Sequence, residues 1–167
     1  AGTNTITIFG VDKLHSTTYK AIGDRIVAGT YLVATAMTHG TVEICNILPQ
    51  HLNAVLKKLC FCGCNVSTKN DKISISANGR CNALKSITTG VYPKFPTDMQ
   101  SAFLSLMAIS KGSCKICETL FDGRFKQVPD LIKMGAKIDV VCNWAKVTGV
   151  KKLSGADVCA TDLRAGA

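Results

Sequence analysis

The sequence predicts an α/β (α+β) repeat fold with two units in full and the start of a third. Three observations carry that prediction. Gly40 recurs as Gly112 and Gly63 as Gly135, both at an offset of 72 residues. Around the first pair, Met37-Thr-His-Gly-Thr-Val-Glu-Ile-Cys45 matches Ile109-Ser-Lys-Gly-Ser-Cys-Lys-Ile-Cys117. Within each unit the apolar pattern changes period in the same order, giving a helix, a strand, a helix and then a pair of strands.

Each element follows from its residues. Arg25 to Thr38 is apolar around most of its circumference, which predicts a buried helix. In the second unit Met99, Ala102, Phe103, Leu106 and Met107 form a stripe at helical spacing. The second helix of the first unit starts at Pro49, favourable in a first turn, and carries Leu52, Val55, Leu56 and Leu59. Its counterpart carries Val128, Leu131, Ile132 and Met134. Gly63 and Gly135 then suit C-terminal caps. Strand pairs follow, Asn65 to Ser67 with Lys72 to Ser76, and Lys137 to Cys142 with Trp144 to Val147. Ser67 to Asp71 reads as a polar turn between strands. Thr5 to Phe9 reads as a strand with no companion before it, and Ala160-Thr-Asp-Leu-Arg164 reopens the pattern of Pro96-Thr-Asp-Met99. A fragment, or one part of a split protein, is therefore expected.

Composition narrows the function classes. The chain has 167 residues, 47% hydrophobic and 19% charged, which argues for a packed core and against disorder. Its longest apolar stretches fall well short of the roughly 20 residues of a membrane helix. No basic start leads into an apolar stretch, so a cytoplasmic protein without a membrane partner is expected. The net charge is +9, but only Arg25, Arg80, Arg124 and Arg164 are arginines. The lysines are scattered and aromatics make up 6%, unlike the clustered basic and aromatic pattern of nucleic-acid binders. A solvated lysine surface, with arginines left to grip a small anion, fits this pattern.

Nine cysteines invite two readings. Cys60-Phe-Cys62-Gly-Cys64 and Cys114-Lys-Ile-Cys117 have the look of zinc ligands. Alternatively, Ser113 to Cys117 is a half-buried strand with Cys114 on the face of Ile116 and Cys117 on the other, the thiols acting as small hydrophobes. The second reading expects no metal and no cofactor.

The chemistry points to the helix openings. Thr97-Asp-Met-Gln100 fits a capping box, with Thr97 as N-cap and Gln100 three residues on. Asp98 then lies in a first turn, where the helix dipole favours an anion. It either stabilises a helix end or, with Asp24-Arg25 and Thr161-Asp-Leu-Arg164, joins openings that converge on one anion-binding cleft. Arg124, in the loop from Glu118 to Phe125, is either a further grip or an ion-pair partner of Asp122 or Glu118.

At these residues the sequence resembles a known family. Phe95-Pro-Thr-Asp-Met-Gln100, Glu118-Thr-Leu-Phe-Asp-Gly-Arg-Phe125 and Leu153-Ser-Gly-Ala156 with Ala160-Thr-Asp-Leu-Arg-Ala165 are similar to the UDP-N-acetylglucosamine 1-carboxyvinyltransferases, a branch of the enolpyruvyl transferases. Gly10-Val-Asp-Lys-Leu14 and Asp24-Arg-Ile-Val-Ala-Gly-Thr-Tyr31 share the likeness, which runs from about residue 5 to 167.

The resemblance implies an inside-out α/β repeat domain of the enolpyruvyl transferase type. Residues 1–22 would be the terminal strand of another domain and the crossover, and 23–167 a partial domain with units 24–90 and 96–159 and a truncated third from 160. It implies transfer of enolpyruvyl from phosphoenolpyruvate to the 3′-hydroxyl of UDP-N-acetylglucosamine with release of phosphate, the committed step of peptidoglycan synthesis. Asp98 would be the general base, Thr97 would adjoin it, Leu120 and Phe121 would contact the sugar nucleotide, and Arg124 and Arg164 would line the phosphoenolpyruvate site. Arg25 transfers less well. The family's Lys-Asn pair, its reactive-Cys loop and a last Arg have no counterpart here. The chain alone is therefore expected to be inactive and to need a complementary domain. The alternatives are a non-catalytic module of the same fold binding a nucleotide sugar or RNA, and a transferase of the 5-enolpyruvylshikimate-3-phosphate synthase kind.

Overall fold

The computed structural model of this chain describes residues 5–160. The first unit runs α1 (Arg25–Thr38), β1 (Thr41–Ile44), a 3-10 turn (Pro49–Leu52) leading into α2 (Asn53–Phe61), β2 (Asn65–Lys69) and β3 (Lys72–Ser76). β4 (Ser86–Thr88) and a 3-10 turn (Thr97–Met99) lead into α3 (Gln100–Ile109), β5 (Ser113–Cys117), α4 (Val128–Lys133), β6 (Lys137–Val141) and β7 (Trp144–Thr148). The 72-residue offset holds in the structure. Arg25 and Thr97 open the first helical segment of each unit, and β2 and β3 shifted by it land on the bounds of β6 and β7.

Two sheets result. β1-β3-β2 is antiparallel throughout, while β4-β5-β7-β6 adds β4 in parallel on β5. Gly63 and Gly135 end the second helix of each unit with φ of 95° and 93°, a conformation glycine adopts without a Cβ penalty. Each then feeds directly into a hairpin strand.

The core lies where α1, α2 and α3 pack against the sheets. Leu32, Leu59, Ile73, Ile75, Phe103, Met107 and Ile116 are fully buried within one continuous cluster. Phe103 meets Phe95 edge to face at 5.0 Å. A Cβ at Gly29 would sit 2.8 Å from Met99 Sδ, so glycine there lets α1 lie against the turn that opens α3.

Some expectations change. Thr5 to Phe9 is not a strand. Residues 5–22 are exposed and enter neither sheet among the described residues, so no strand ladder forms there. α1 is buried on one face only, through Ala28, Leu32, Val33 and Ala36, while Val27 and Tyr31 face outward. α4 is six residues long and leaves Ile132 exposed. The turn expected at Ser67 to Asp71 tightens to Asn70-Asp71, because β2 pairs with β3 up to Lys69↔Lys72. The third helix opening, Thr161 to Arg164, lies outside the described residues. Among those described, no helix is long and apolar enough to cross a membrane.

The strand expected at Ser113 to Cys117 forms. Cys114 and Ile116 are buried on one face of β5, and Cys117 is half-buried on the other. The offset explains why: Cys114 stands where the first unit has Val42, Cys62 where the second has Met134, and Cys64 where it has Ala136. Thiols alternate with apolar side chains at equivalent places, as small hydrophobes do. Burial, above all, pushes the Cys62 thiol up to about 12 and the Cys114 thiol up to about 11.

Candidate active site

The second unit brings three segments to one edge: the end of β4 with Thr89, the turn Thr97–Met99 that opens α3, and the loop that leaves β5. Asp98 lies in the first turn of that opening. Arg124 reaches back from the loop, its Nη2 3.5 Å from Asp98 Oδ1. Both side chains remain partly open to solvent, at 17% for Arg124 and 27% for Asp98, so a ligand can reach them. The Arg124 guanidinium lies 5.0 Å from the centre of the Phe121 ring. Phe121 and Leu120 are exposed beside it. The structure thus gathers Thr97, Asp98, Leu120, Phe121 and Arg124 at one place, whereas Arg164 lies outside the described residues. Arg124 pairs with Asp98, not with Asp122 or Glu118.

The capping box does not form. Pro96 occupies the N-cap position and makes no side-chain cap bond, because a 3-10 turn precedes α3. The Thr97 hydroxyl donates instead to Glu118 Oε2 at 2.8 Å. Gln100 is buried and turned toward Gln127, whose Nε2 donates to Gln100 Oε1 at 3.3 Å. Gln100 Nε2 and Gln127 Oε1 have no hydrogen-bond partner among the described residues. This amide pair lies under the segments that carry Asp98 and Arg124.

The openings are not equivalent. Asp24 is the N-cap of α1, its Oδ1 accepting from Ile26 N at 2.7 Å and Val27 N at 3.3 Å. Its carboxylate serves the helix end. Arg25 lies 5.6 Å from the centre of the Tyr92 ring and lines a shallow pocket with His51, Tyr92, Lys94 and Pro96. Arg80 belongs to no anion site. Its Nε donates to Ile109 O at 2.7 Å, and its Nη2 to Ser110 O and Val150 O, both at 2.8 Å. It therefore closes the C-terminus of α3.

Glu118 was open only as a surface partner of Arg124 on sequence grounds. It is 2% exposed and sits under the site. The signal that finds it is the offset: 72 residues earlier stands Asn46, so an acidic side chain is particular to the second unit.

Comparison with known proteins adds to this geometry. A family model described as EPSP synthase (3-phosphoshikimate 1-carboxyvinyltransferase) matches residues 1–167. The chain is 49% identical over 166 residues to UDP-N-acetylglucosamine 1-carboxyvinyltransferase 2 of Caldanaerobacter subterraneus subsp. tengcongensis, covering 99% of this chain and 40% of that one. Among solved structures it resembles the enolpyruvyl transferase NikO from Streptomyces tendae, with a TM-score of 0.76 at 23% identity over 86% of this chain and 34% of that one. It also resembles EPSP synthase from Acinetobacter baumannii, with a TM-score of 0.67 at 17% identity over 89% and 36%. At these identities the structural likeness speaks to the fold alone. This chain spans well under half the length of each of these relatives.

Proposed function

This chain belongs to the EPSP synthase family and has part of the enolpyruvyl transferase fold, and on that premise we propose that it supplies one wall of the active-site cleft of a UDP-N-acetylglucosamine 1-carboxyvinyltransferase. The reaction is transfer of enolpyruvyl from phosphoenolpyruvate to the sugar 3′-hydroxyl, with release of phosphate, at the start of peptidoglycan synthesis. The observation that carries this reading is the pairing of Asp98 with Arg124 on an accessible rim beside the exposed Leu120 and Phe121. Identity of 49% to a carboxyvinyltransferase of that substrate over nearly the whole chain supports the choice of acceptor.

Each side chain has a task in this scheme. Asp98 accepts a hydrogen bond from the sugar hydroxyl and takes its proton as the oxygen attacks C2 of phosphoenolpyruvate and C3 gains a proton from a general acid; the tetrahedral adduct then loses a C3 proton and phosphate, which restores the enol double bond. Arg124 offers two or more N–H donors to the carboxylate or phosphate of that substrate and to the tetrahedral adduct. Its 3.5 Å distance from Asp98 is loose enough for the guanidinium to turn toward an arriving anion. Leu120 and Phe121 give the nucleotide sugar an apolar surface. Arg164, outside the described residues, is carried over from the family resemblance alone as a further cation for phosphoenolpyruvate.

The test is titration of UDP-N-acetylglucosamine into the wild-type chain and into Asp98→Ala. Loss of a charge-assisted hydrogen bond should weaken binding about ten- to a hundredfold. Equal affinity of the two proteins would overturn the assignment of Asp98. Phosphate release from phosphoenolpyruvate in the presence of the sugar should be absent for these 167 residues alone, because a rim open to water on one side cannot exclude solvent from the adduct. Sustained release would show that this chain needs no second wall.

A further inference from the structure

We propose that Glu118 is a positioning residue of this site, its buried carboxyl fixing the spacing between the turn that carries Asp98 and the loop that carries Leu120, Phe121 and Arg124. The proposal rests on the functional reading given above for Asp98 and that loop.

The carboxyl bridges separate elements with its two oxygens. Oε1 accepts from the Thr89 hydroxyl at 2.8 Å and from the Leu120 amide at 2.9 Å. Oε2 accepts from the Thr97 hydroxyl at 2.8 Å. Thr89 is locked in turn, since its Oγ1 accepts from Thr119 N at 2.9 Å and its carbonyl accepts from Thr119 Oγ1 at 2.8 Å. The backbone of Glu118 is held from the β6–β7 turn: its N–H donates to Asn143 O at 2.8 Å and its carbonyl accepts from Asn143 Nδ2 at 3.1 Å. The planar carboxyl is thus fixed to the ends of β4 and β5, and it holds one residue before Asp98 and two residues after itself.

The other copy of the unit shows that the fold does not demand this group. At the offset of 72, Glu118 corresponds to Asn46, Thr97 to Arg25, Asp98 to Ile26 and Arg124 to Leu52. The tether and the reactive side chains are present together in one unit and absent together from the other. A buried carboxyl is a costly group to keep in a core. Three well-formed hydrogen bonds offset that cost, and all three end on the machinery of the site or on its support.

The experiment measures amide hydrogen exchange and UDP-N-acetylglucosamine affinity on the same chain, for wild type, Glu118→Ala, Glu118→Gln and Thr97→Val. Glu118→Ala should speed exchange at Leu120 and at Asp98 to Gln100 by about tenfold or more, leave β2 and β3 unchanged, and weaken the sugar nucleotide by a similar factor. Glu118→Gln keeps one carbonyl oxygen for Thr89 and Leu120, and its amide can donate to the Thr97 hydroxyl, so it should stay within about threefold of wild type. Thr97→Val should loosen the Asp98 side alone. Wild-type exchange at both places in folded Glu118→Ala, or faster exchange with undiminished affinity, would overturn the proposal. Should Glu118→Ala fail to fold, Thr97→Val decides: unchanged affinity overturns the tether, and weaker affinity with a protected Leu120 amide supports it. Failure of the wild-type chain to bind the nucleotide sugar sinks the functional reading instead, while the exchange pattern still decides whether Glu118 couples the two segments.

Discussion

The two units share a frame but spend their helix openings differently. In the first, Asp24 turns its carboxylate onto two backbone amides of α1 and is consumed by the cap. In the second, the acidic residue moves two positions into the helical segment, Pro96 takes the cap position without a side-chain bond, and Asp98 is left facing Arg124. A helix N-terminus is short of acceptors and favours an anion in either case. Whether that anion is structural or available to a substrate depends on where the carboxylate sits along the first turn. Repetition supplies the platform, and departures from the repeat supply the chemistry.

The C-terminal ends of the same helices differ too, and there the largest effect is expected. α1 ends on His39 at φ 57°, whose N–H donates to Thr35 O within the helix itself. α3 ends under Arg80, a residue from the tail of the first unit that gathers carbonyls from Ile109, Ser110 and Val150. Arg80→Met keeps the stem and removes three charge-assisted bonds, leaving the buried Ser110 carbonyl short of a donor. A loss of about 2–4 kcal/mol is expected in chemical denaturation. A loss below about 1 kcal/mol would mean that α3 closes itself as α1 does.

A smaller effect separates the two carboxylates. Asp24→Ala should cost about 1 kcal/mol of stability, Asp24→Asn only a few tenths because Asn caps equally well, and neither should alter nucleotide-sugar binding. Asp98→Ala should show the reverse pattern, with stability changed by less than about 1 kcal/mol and binding weakened about ten- to a hundredfold, since a partly exposed ion pair contributes little to folding. Thermal melts and ligand titrations of the same three proteins check this. If Asp98→Ala melts lower than Asp24→Ala, the two openings are alike and the contrast fails.

Much of this frame was legible in the residues. Gly63 and Gly135 mark helix ends because a positive φ leaves few alternatives, and the Cys114–Ile116 face follows from strand alternation. The clustering of Thr97, Asp98, Leu120, Phe121 and Arg124 was legible only through the family resemblance. Local rules misled where a distant partner was stronger. Thr97 and Gln100 have the spacing of a capping box, yet Glu118 and Gln127 claim both side chains. Arg80 could not be assigned, since its partners are backbone carbonyls, which leave no mark in a sequence. Glu118 looked like a loop residue because Thr89, Thr97 and Asn143, which hold it, are scattered over more than fifty positions.

The last expected effect concerns the thiols, and it tests whether the units differ there in chemistry or only in filling. In the unfolded chain Cys62 and Cys114 titrate near the ordinary value of 9.0, whereas burial holds them up to about 12 and about 11 in the fold. Below pH 9 both states keep these protons, so the favourable burial of the neutral thiols is fully present. As pH rises from 9 toward 11 and 12 the unfolded state sheds protons that the folded state retains, and stability falls. Cys114→Val installs the residue that the first unit has at the same place, Val42. It removes one of these protons while nearly preserving volume. Denaturation midpoints measured at pH 7.5 and pH 10.5 should therefore fall less in Cys114→Val than in wild type, with the two proteins close at the lower pH. An equal fall in both would mean that Cys114 titrates in the fold as it does in the open chain, and so is reachable by water in a way that a hydrophobe at the position of Val42 would not be.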